Sequence, residues 1–345
     1  MAEYREQIAN LAETIKTSAE LKARGGGTKT ALSEGANLDL GGLSGVLEYD
    51  PQEYTLTALA GTPMADIEGL LNKERQYMPF DPVMVSAGSS LGGAIASGLS
   101  GSGRYRYGGI RDFLLGIHFF TGSGTLHRGG AKVIKNASGF DLPKLMVGSL
   151  GRFGIMTEAT LKVFPKPEVF TTLKVATGSL EKALEHVGKL AMSSFELSCL
   201  DFDPAGTLYL RFGGQQEASH KRLERIKAFL GLEADIVQGE VDESYWQGVR
   251  EFNFVPEGFD LLKVPLTLSK IAGLESRLDK AFVRRYSVGG NLLWLALPQD
   301  ADKLALASLL AQQGLSALAL TGSWKSVYVG KALDDIFAKR LLAVL

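Results

Sequence analysis

Residues 83–103 read VMVSAGSSLGGAIASGLSGSG. The stretch has no charge, and a hydropathy scan alone would mark it as a membrane span. Its composition argues otherwise, because six of the 21 residues are Gly and six are Ser. Gly tolerates φ > 0 and lets the backbone come close to a ligand. Successive N–H groups of such a loop form a concave anion site. A second loop of this kind stands earlier, at Arg24-Gly25-Gly26-Gly27-Thr28-Lys29. Two glycine-rich loops in one half of the chain point to one ligand with a diphosphate and two ends.

The chain has 345 residues, long for one core and suited to two domains. Hydrophobic residues make up 45% and charged residues 22%, as in ordinary globular proteins. The net charge of −1 offers no case for nucleic acid or for an anionic membrane surface. Charge is uneven, however. Between Gly101 and Lys166 ten Lys or Arg face only Asp112, Asp141 and Glu158. A solvated basic face accounts for most of these, and the local excess also suits an anionic ligand. Cys199 is alone, which excludes an internal disulfide and a Cys-ligated iron–sulfur cluster. A reducing, cytoplasmic setting is the simplest fit. The opening MAEYREQIANLAETIK lacks the apolar core of a signal peptide. The uncharged run from Leu304 to Trp324 is interrupted by Gln312-Gln313-Gly314 and reads as helix, turn and strand.

Glycine also marks the domain border. Residues 1–167 hold 26 of the 41 glycines, and the border is Phe164-Pro165-Lys166-Pro167. In the first unit, Ile8, Leu11, Ala12 and Ile15 predict an amphipathic helix. Thr62-Pro63 reads as an N-cap with proline at the first helical position. Gly116–Phe120 and Thr125–Arg128 flank a hairpin turn. The second unit, 168–330, alternates as βαββαβ twice, in halves of about 168–240 and 258–323. Gly289-Gly290 turns a hairpin in the second half, and Tyr245 to Arg250 predict a bridging helix. A helix is expected over 331–345. Two ferredoxin-like halves would give one large antiparallel sheet with helices on one face.

Neither loop has the G-x-G-x-x-G spacing of a dinucleotide fold or the G-x-x-x-x-G-K-[ST] of a P-loop. The order of motifs is more informative. RGGGTKT at 24–30 precedes AGSSLGGAIASGLSG at 87–101, YRYGGIRDFLLG at 105–116 and KNASGFDLPKLMVGSLGRFGIMTEATLKVFPKP at 135–167. This series resembles the PCMH-type FAD-binding domain of the vanillyl-alcohol oxidase superfamily. The KNASGFDL and GSLGRFG segments resemble its branch that oxidises glycolate and D-lactate.

The resemblance implies an α+β fold, with a PCMH-type FAD domain of two subdomains and an antiparallel-sheet cap. It implies FAD, with Gly25, Gly26, Gly27 and Thr28 in the loop that holds the diphosphate. Ser89, Ser90, Gly92, Gly93 and Ser97 match the second loop. Arg111 and Asp112 match the turn after the Tyr-Gly pair. Gly148, Gly151, Gly154 and Ile155 match the segment that reads the adenine end. Relatives often tether the flavin through His or Cys. Here the first loop carries Thr28, so non-covalent FAD is expected. No metal site is expected from His118, His127, His186 and His220, which are scattered.

The expected function is that of a flavoprotein subunit in glycolate oxidation. The resemblance implies a larger FAD subunit and an iron–sulfur subunit as partners, a small 2-hydroxy acid as substrate, and membrane contact only through those partners. Lys263 and Arg250 are the basic residues expected to meet a carboxylate or a partner. Two other readings remain: a non-catalytic electron-transfer or scaffold subunit, and a stand-alone FAD-dependent oxidoreductase such as the enolpyruvyl-UDP-sugar reductases.

Overall fold

A computed structural model describes residues 2–130, 141–332, 336 and 339–340. The expected KNASGF segment at 135–140, with Lys132 and Lys135, lies outside the described residues, as does most of the expected helix over 331–345.

The first glycine-rich half forms a five-stranded antiparallel sheet. Its strands lie in the order Val46–Asp50, Thr55–Leu59, Ile155–Lys162, Leu114–Phe120 and Leu126–Gly130. The predicted hairpin is there, with Ile117 opposite Gly129. The amphipathic N-terminal helix, Ala2–Thr17, buries Leu11 and Ile15 in a side cluster with Leu43, Leu59 and Phe120. A larger cluster of Leu56, Ile67, Leu91, Ile95 and Phe119 fills the centre. The Thr62-Pro63 reading is corrected in detail. The helix is Met64–Lys73, with Pro63 at its cap position and no side-chain cap bond. Thr62 Oγ1 is used elsewhere, donating to the Gly45 carbonyl at 3.1 Å and accepting from its N–H at 3.0 Å.

Residues 83–103, read above against a span, fold as a turn, a short helix and a turn. Ser90 caps the helix Leu91–Ser97 by accepting from the Gly93 N–H, and Gly98 ends it at φ 60°. That left-handed cap suits Gly because it has no Cβ to clash. The Leu304–Trp324 run becomes the helix Lys303–Gln312 and the strand Ser316–Ala319. No helix among the described residues is long and apolar enough to cross a membrane.

The second half is one nine-stranded sheet. Its first four strands, in spatial order, are Asp235–Gln238, Val169–Ala176, Thr207–Gly214 and Cys199–Phe202. The next four are Val283–Ser287, Leu292–Pro298, Phe259–Pro265 and Ser316–Ala319, and Tyr328–Gly330 closes the edge. The halves mirror one another: their second strands meet at the centre, where Phe202 stands opposite Tyr286. Helices Leu180–Ala191, Gln216–Leu230, Leu268–Glu275 and Lys303–Gln312 send Val187, Ile226, Ile271 and Leu310 into one core with the sheet. The expected bridging helix is longer than its motif and spans Gly239–Arg250.

The opposite sheet face receives the glycine-rich segment. Val83, Met84 and Leu99 pack with Trp294, Leu261 and Phe252. At the end of that segment, Ser102 Oγ donates to the fully buried carboxylate of Asp201 at 2.6 Å. Asp201 also accepts from Ser287 Oγ at 2.8 Å and Arg285 Nε at 3.0 Å. A buried carboxylate is tolerated when charged and hydroxyl donors surround it. This network fixes the second glycine loop against the sheet.

Candidate FAD site

The two glycine loops lie edge to edge. A Cβ on Gly25 would overlap Ser90 Oγ, and one on Gly26 would overlap the Gly88 carbonyl. These two positions are therefore glycine to admit the other loop. Both also line the cleft, so the close approach of the other loop is a second demand beside the ligand role that the sequence implied. Gly27 differs: it has φ 66° and open space where a Cβ would point. Between the loops, the Gly26 N–H donates to Ser90 Oγ at 3.4 Å. Among the described residues the N–H groups of Gly27 and Thr28 have no acceptor.

The contact encloses a cleft with about 760 Å³ of empty space, partly open to solvent. Of the residues implied by the resemblance, Gly25, Gly26, Gly27, Thr28, Ser90, Gly92, Gly93, Ser97, Gly151, Gly154 and Ile155 line it. Ser89 does not. It is 1% exposed, and its hydroxyl accepts from Lys29 Nζ at 2.9 Å. Arg111, Asp112 and Gly148 line a second cleft with about 960 Å³ of empty space. Ser97 and Leu150 stand in the walls of both, so the two clefts adjoin.

Lys29, quoted with the first loop but given no role in the sequence, lines the first cleft without an ion pair, whereas Arg24 in the same lining is paired with Asp39. It is 6% exposed, and its ammonium touches only hydroxyls, Ser89 Oγ and Thr28 Oγ1, the latter at 3.0 Å. Burial pushes it down from 10.5 to about 8, and the charge of Glu251 opposes the shift. A cation between two loops, beside free N–H groups, is a donor set for a phosphate. The only hint in the sequence was its place directly after the glycine loop.

The second cleft is cationic. Lys263 reaches in from the strand Phe259–Pro265, with Nζ 3.4 Å from the Gly98 carbonyl. Arg104 and Arg111 line the same space, as do Asp112 and Tyr328. The Asp112 carboxylate accepts from the Gly109 N–H at 2.8 Å. Arg250, the other basic residue singled out in the sequence, is elsewhere. It makes two bonds with the Glu68 carboxylate, at 2.5 and 2.8 Å, in the wall of a separate cavity.

The histidines keep apart from both clefts. His118 faces Glu158 at 3.1 Å, and His127 stacks on Phe119 with ring centroids 5.6 Å apart. His186 and His220 lie on the helices Leu180–Ala191 and Gln216–Leu230. The Cys199 thiol is buried in the separate cavity's wall, and burial pushes it up. Among the described residues no group of three His, Cys, Asp or Glu could hold a metal.

These loops have known counterparts. Residues 2–130 match the family described as FAD binding domain. Glycolate oxidase subunit GlcE of Escherichia coli (strain K12) is 32% identical over 290 residues, covering 82% of this chain and 77% of that protein. The chain belongs to the glycolate oxidase subunit GlcE family. It is an FAD-dependent oxidoreductase with the PCMH-type fold of the vanillyl-alcohol oxidase superfamily. Glycolate oxidase subunit GlcD of Bacillus subtilis (strain 168) is 31% identical over 163 residues, 47% of this chain but 34% of that protein. The D-lactate dehydrogenase [cytochrome] 1, mitochondrial, of Saccharomyces cerevisiae is 27% identical, over 58% of this chain and 34% of that protein. The chain thus spans about a third of these two relatives. An alkyldihydroxyacetonephosphate synthase structure superposes with TM-score 0.68 at 16% identity, covering 90% of this chain and 70% of that one, a likeness of fold alone.

The residues present suit FAD. The free N–H groups and Lys29 offer a place for a diphosphate, Gly151, Gly154 and Ile155 wall one side, and the adjoining cleft gives a long ligand room to continue.

Proposed function

We propose that this chain is the FAD-binding subunit of a multi-subunit complex that oxidises glycolate to glyoxylate. The observation that carries this reading is the buried Lys29 between two glycine loops, in a cleft that runs on toward the antiparallel sheet. Bound there, FAD would supply the redox chemistry. Gly27, Thr28 and Lys29 hold its diphosphate, helped by Ser97 and Gly93. Gly148, Gly151, Gly154 and Ile155 would meet the adenine end, and Arg111 and Asp112 would line the adjoining cleft. Residues 1–167 form the FAD domain and 168–330 the cap. The names of the relatives support a multi-subunit complex; the reading adds a larger FAD subunit and an iron–sulfur subunit as partners. The complex works in the cytoplasm, touching a membrane only through partners.

A relay role for this chain's flavin is the second reading. It is favoured by one feature: among the described residues no histidine lines either cleft. Oxidation of a 2-hydroxy acid needs a base for the hydroxyl proton near the flavin. Turnover is accordingly expected only on assembly.

The test has two parts. The purified chain should be yellow, and acid should release its flavin as FAD, since no His or Cys stands in the first loop. Dye-coupled oxidation of glycolate should then appear only with co-expressed partners. Flavin that stays on the denatured polypeptide defeats the non-covalent assignment. Rapid turnover of glycolate by the isolated chain defeats the relay reading.

A further inference from the structure

The last glycines of the stretch 83–103 do not serve the FAD cleft. Gly101 and Gly103 line neither it nor the cleft that adjoins it. A Cβ on Gly101 would overlap Asp81 Oδ2, and one on Gly103 would overlap the Pro79 carbonyl and crowd Asp81 Cβ. Both positions therefore make room for Asp81, whose own backbone is left-handed at φ 57°. That conformation is uncommon outside Gly, even though Asp tolerates it better than most residues. Among the described residues the Asp81 side chain makes no hydrogen bond and no ion pair. A strained residue, given space by two glycines and left without a partner, is the mark of a site rather than of packing.

Asp81 lines the separate cavity that also has Arg250 and Cys199 in its wall, with about 1190 Å³ of empty space partly open to solvent. One wall comes from the helix Met64–Lys73 and the chain just after it, the other from the nine-stranded sheet and the helix Gly239–Arg250. The other charges of the lining are matched. Arg250 holds Glu68, and Lys166 Nζ lies 2.8 Å from Glu243 Oε1. Arg211 makes two bonds to Asp242 Oδ2, at 2.6 and 3.0 Å. Asp81 is thus left over, and the cavity carries an excess of one negative charge. Tyr77, Phe170 and Trp246 give it aromatic walls. Ser198 adds a buried hydroxyl that has no partner among the described residues. Burial pushes the Asp81 carboxyl up, and the charges of Arg250 and Arg211 oppose the shift. The empty cavity therefore favours the protonated acid more than water does, and a bound cation would take the proton's place.

We propose that this cavity is a second ligand site, one that takes a small organic monocation, with a primary ammonium group on Asp81 and the carbon body against the aromatic walls. A carboxylate beside ring faces, away from bulk water, is a receptor for such an ion. An anion is disfavoured, because both guanidiniums of the lining already hold carboxylates. The site does not depend on the flavin reading, since none of its lining residues lines either of the other two clefts.

Phenethylammonium is the probe, with phenylacetate and phenethyl alcohol as anionic and neutral counterparts of similar size. The full chain, as purified, is titrated with each by calorimetry near neutral pH and at constant ionic strength. The wild type should bind the ammonium ion at least tenfold more tightly than either counterpart, the margin of one charge-assisted bond. Asp81→Asn should weaken the ammonium ion at least tenfold and leave the alcohol unchanged. Asn has the same shape and tolerates φ > 0, so the variant should fold, and its circular dichroism spectrum checks this. Equal binding of all three probes by the wild type overturns the inference without any variant. So does the absence of ammonium binding at millimolar concentration. Tighter binding of phenylacetate overturns it in favour of the guanidiniums. Full ammonium affinity in Asp81→Asn also overturns it, because the cation would then sit elsewhere. A chain that purifies without flavin would count against the flavin reading alone, and the same titrations would still decide this site.

Discussion

Replacing Lys29 with Met should stabilise the flavin-free protein while weakening its grip on FAD. Burial lowers the Lys29 ammonium from 10.5 to about 8, a shift that corresponds to about 3 kcal/mol at 1.36 kcal/mol per unit. The folded chain holds this proton less tightly than the unfolded chain. Below pH 8 both states are protonated, and the folded state carries the whole penalty. Between pH 8 and 10.5 the folded amine becomes neutral while the unfolded one stays charged, so stability rises with pH. Methionine removes the penalty but leaves Ser89 Oγ and Thr28 Oγ1 without their donor, which costs about 1–2 kcal/mol. The net gain at pH 7 is about 1–2 kcal/mol. Urea unfolding of the flavin-free wild type and variant at pH 7, 8, 9 and 10 measures it. The variant's advantage should shrink as pH rises and reverse by about pH 10, where the wild type has recovered most of its penalty; comparing the two curves cancels groups common to both. For FAD the sign reverses. Loss of a charge-assisted bond to the diphosphate should weaken binding by about ten- to a hundredfold, read from flavin fluorescence. A variant less stable than wild type at pH 7, with a difference that does not change with pH, refutes the argument.

The loop geometry separates neighbouring glycines. Gly26→Ala should destabilise by about 1–3 kcal/mol and lose FAD, because its methyl group meets the Gly88 carbonyl of the other loop. Gly27→Ala meets nothing and costs about 1 kcal/mol through its φ of 66° alone, so it should fold and keep more FAD. Equal flavin content in the two purified variants would break this distinction. Arg250→Met strands the half-buried Glu68 carboxylate and should cost about 2–4 kcal/mol in urea unfolding. The same variant should keep its FAD content, because Arg250 lines neither cleft, and loss of flavin from the folded variant would return Arg250 to the cofactor site.

Much of the fold was legible because its signals are local. The sequence predicts a strand from Thr207 to Phe212, and the structure extends it to Gly214, with even-numbered Leu208, Leu210 and Phe212 buried. The 3.6-residue period marked Leu180–Ala191 through Ala183, Val187 and Leu190. Its start is capped by Ser179, which accepts from the Lys182 N–H, a signal the sequence analysis did not use. The edge strand Tyr328–Gly330 was missed because three residues carry no period. The cap of the helix Met64–Lys73 was misread for a different reason. Thr62 has the right chemistry for a cap, but the Gly45 backbone, 17 residues away, uses its hydroxyl first. Local preference names a candidate, and tertiary contact decides among its partners.

The site followed the same rule more sharply. Glycines announce themselves as types, so both loops were visible. Their reasons were not, because a glycine that admits a ligand and one that admits another loop have the same letter. Gly26 and Gly27 are adjacent and serve opposite needs, and only the position of Gly88 tells them apart. Basic residues show the reverse failure. Ten Lys or Arg between Gly101 and Lys166 gave no ground for preferring one. What distinguishes Lys29 and Lys263 is that neither makes an ion pair among the described residues, although Glu251 acts on Lys29 at longer range, a property of pairs and of burial. Arg250 seemed equivalent to Lys263 in the sequence. In the fold it is matched by Glu68, while Lys263 faces Arg104. On the reading proposed above, Lys29 would meet the cofactor's diphosphate, because it stands 6% exposed between the two glycine loops with only hydroxyls for partners.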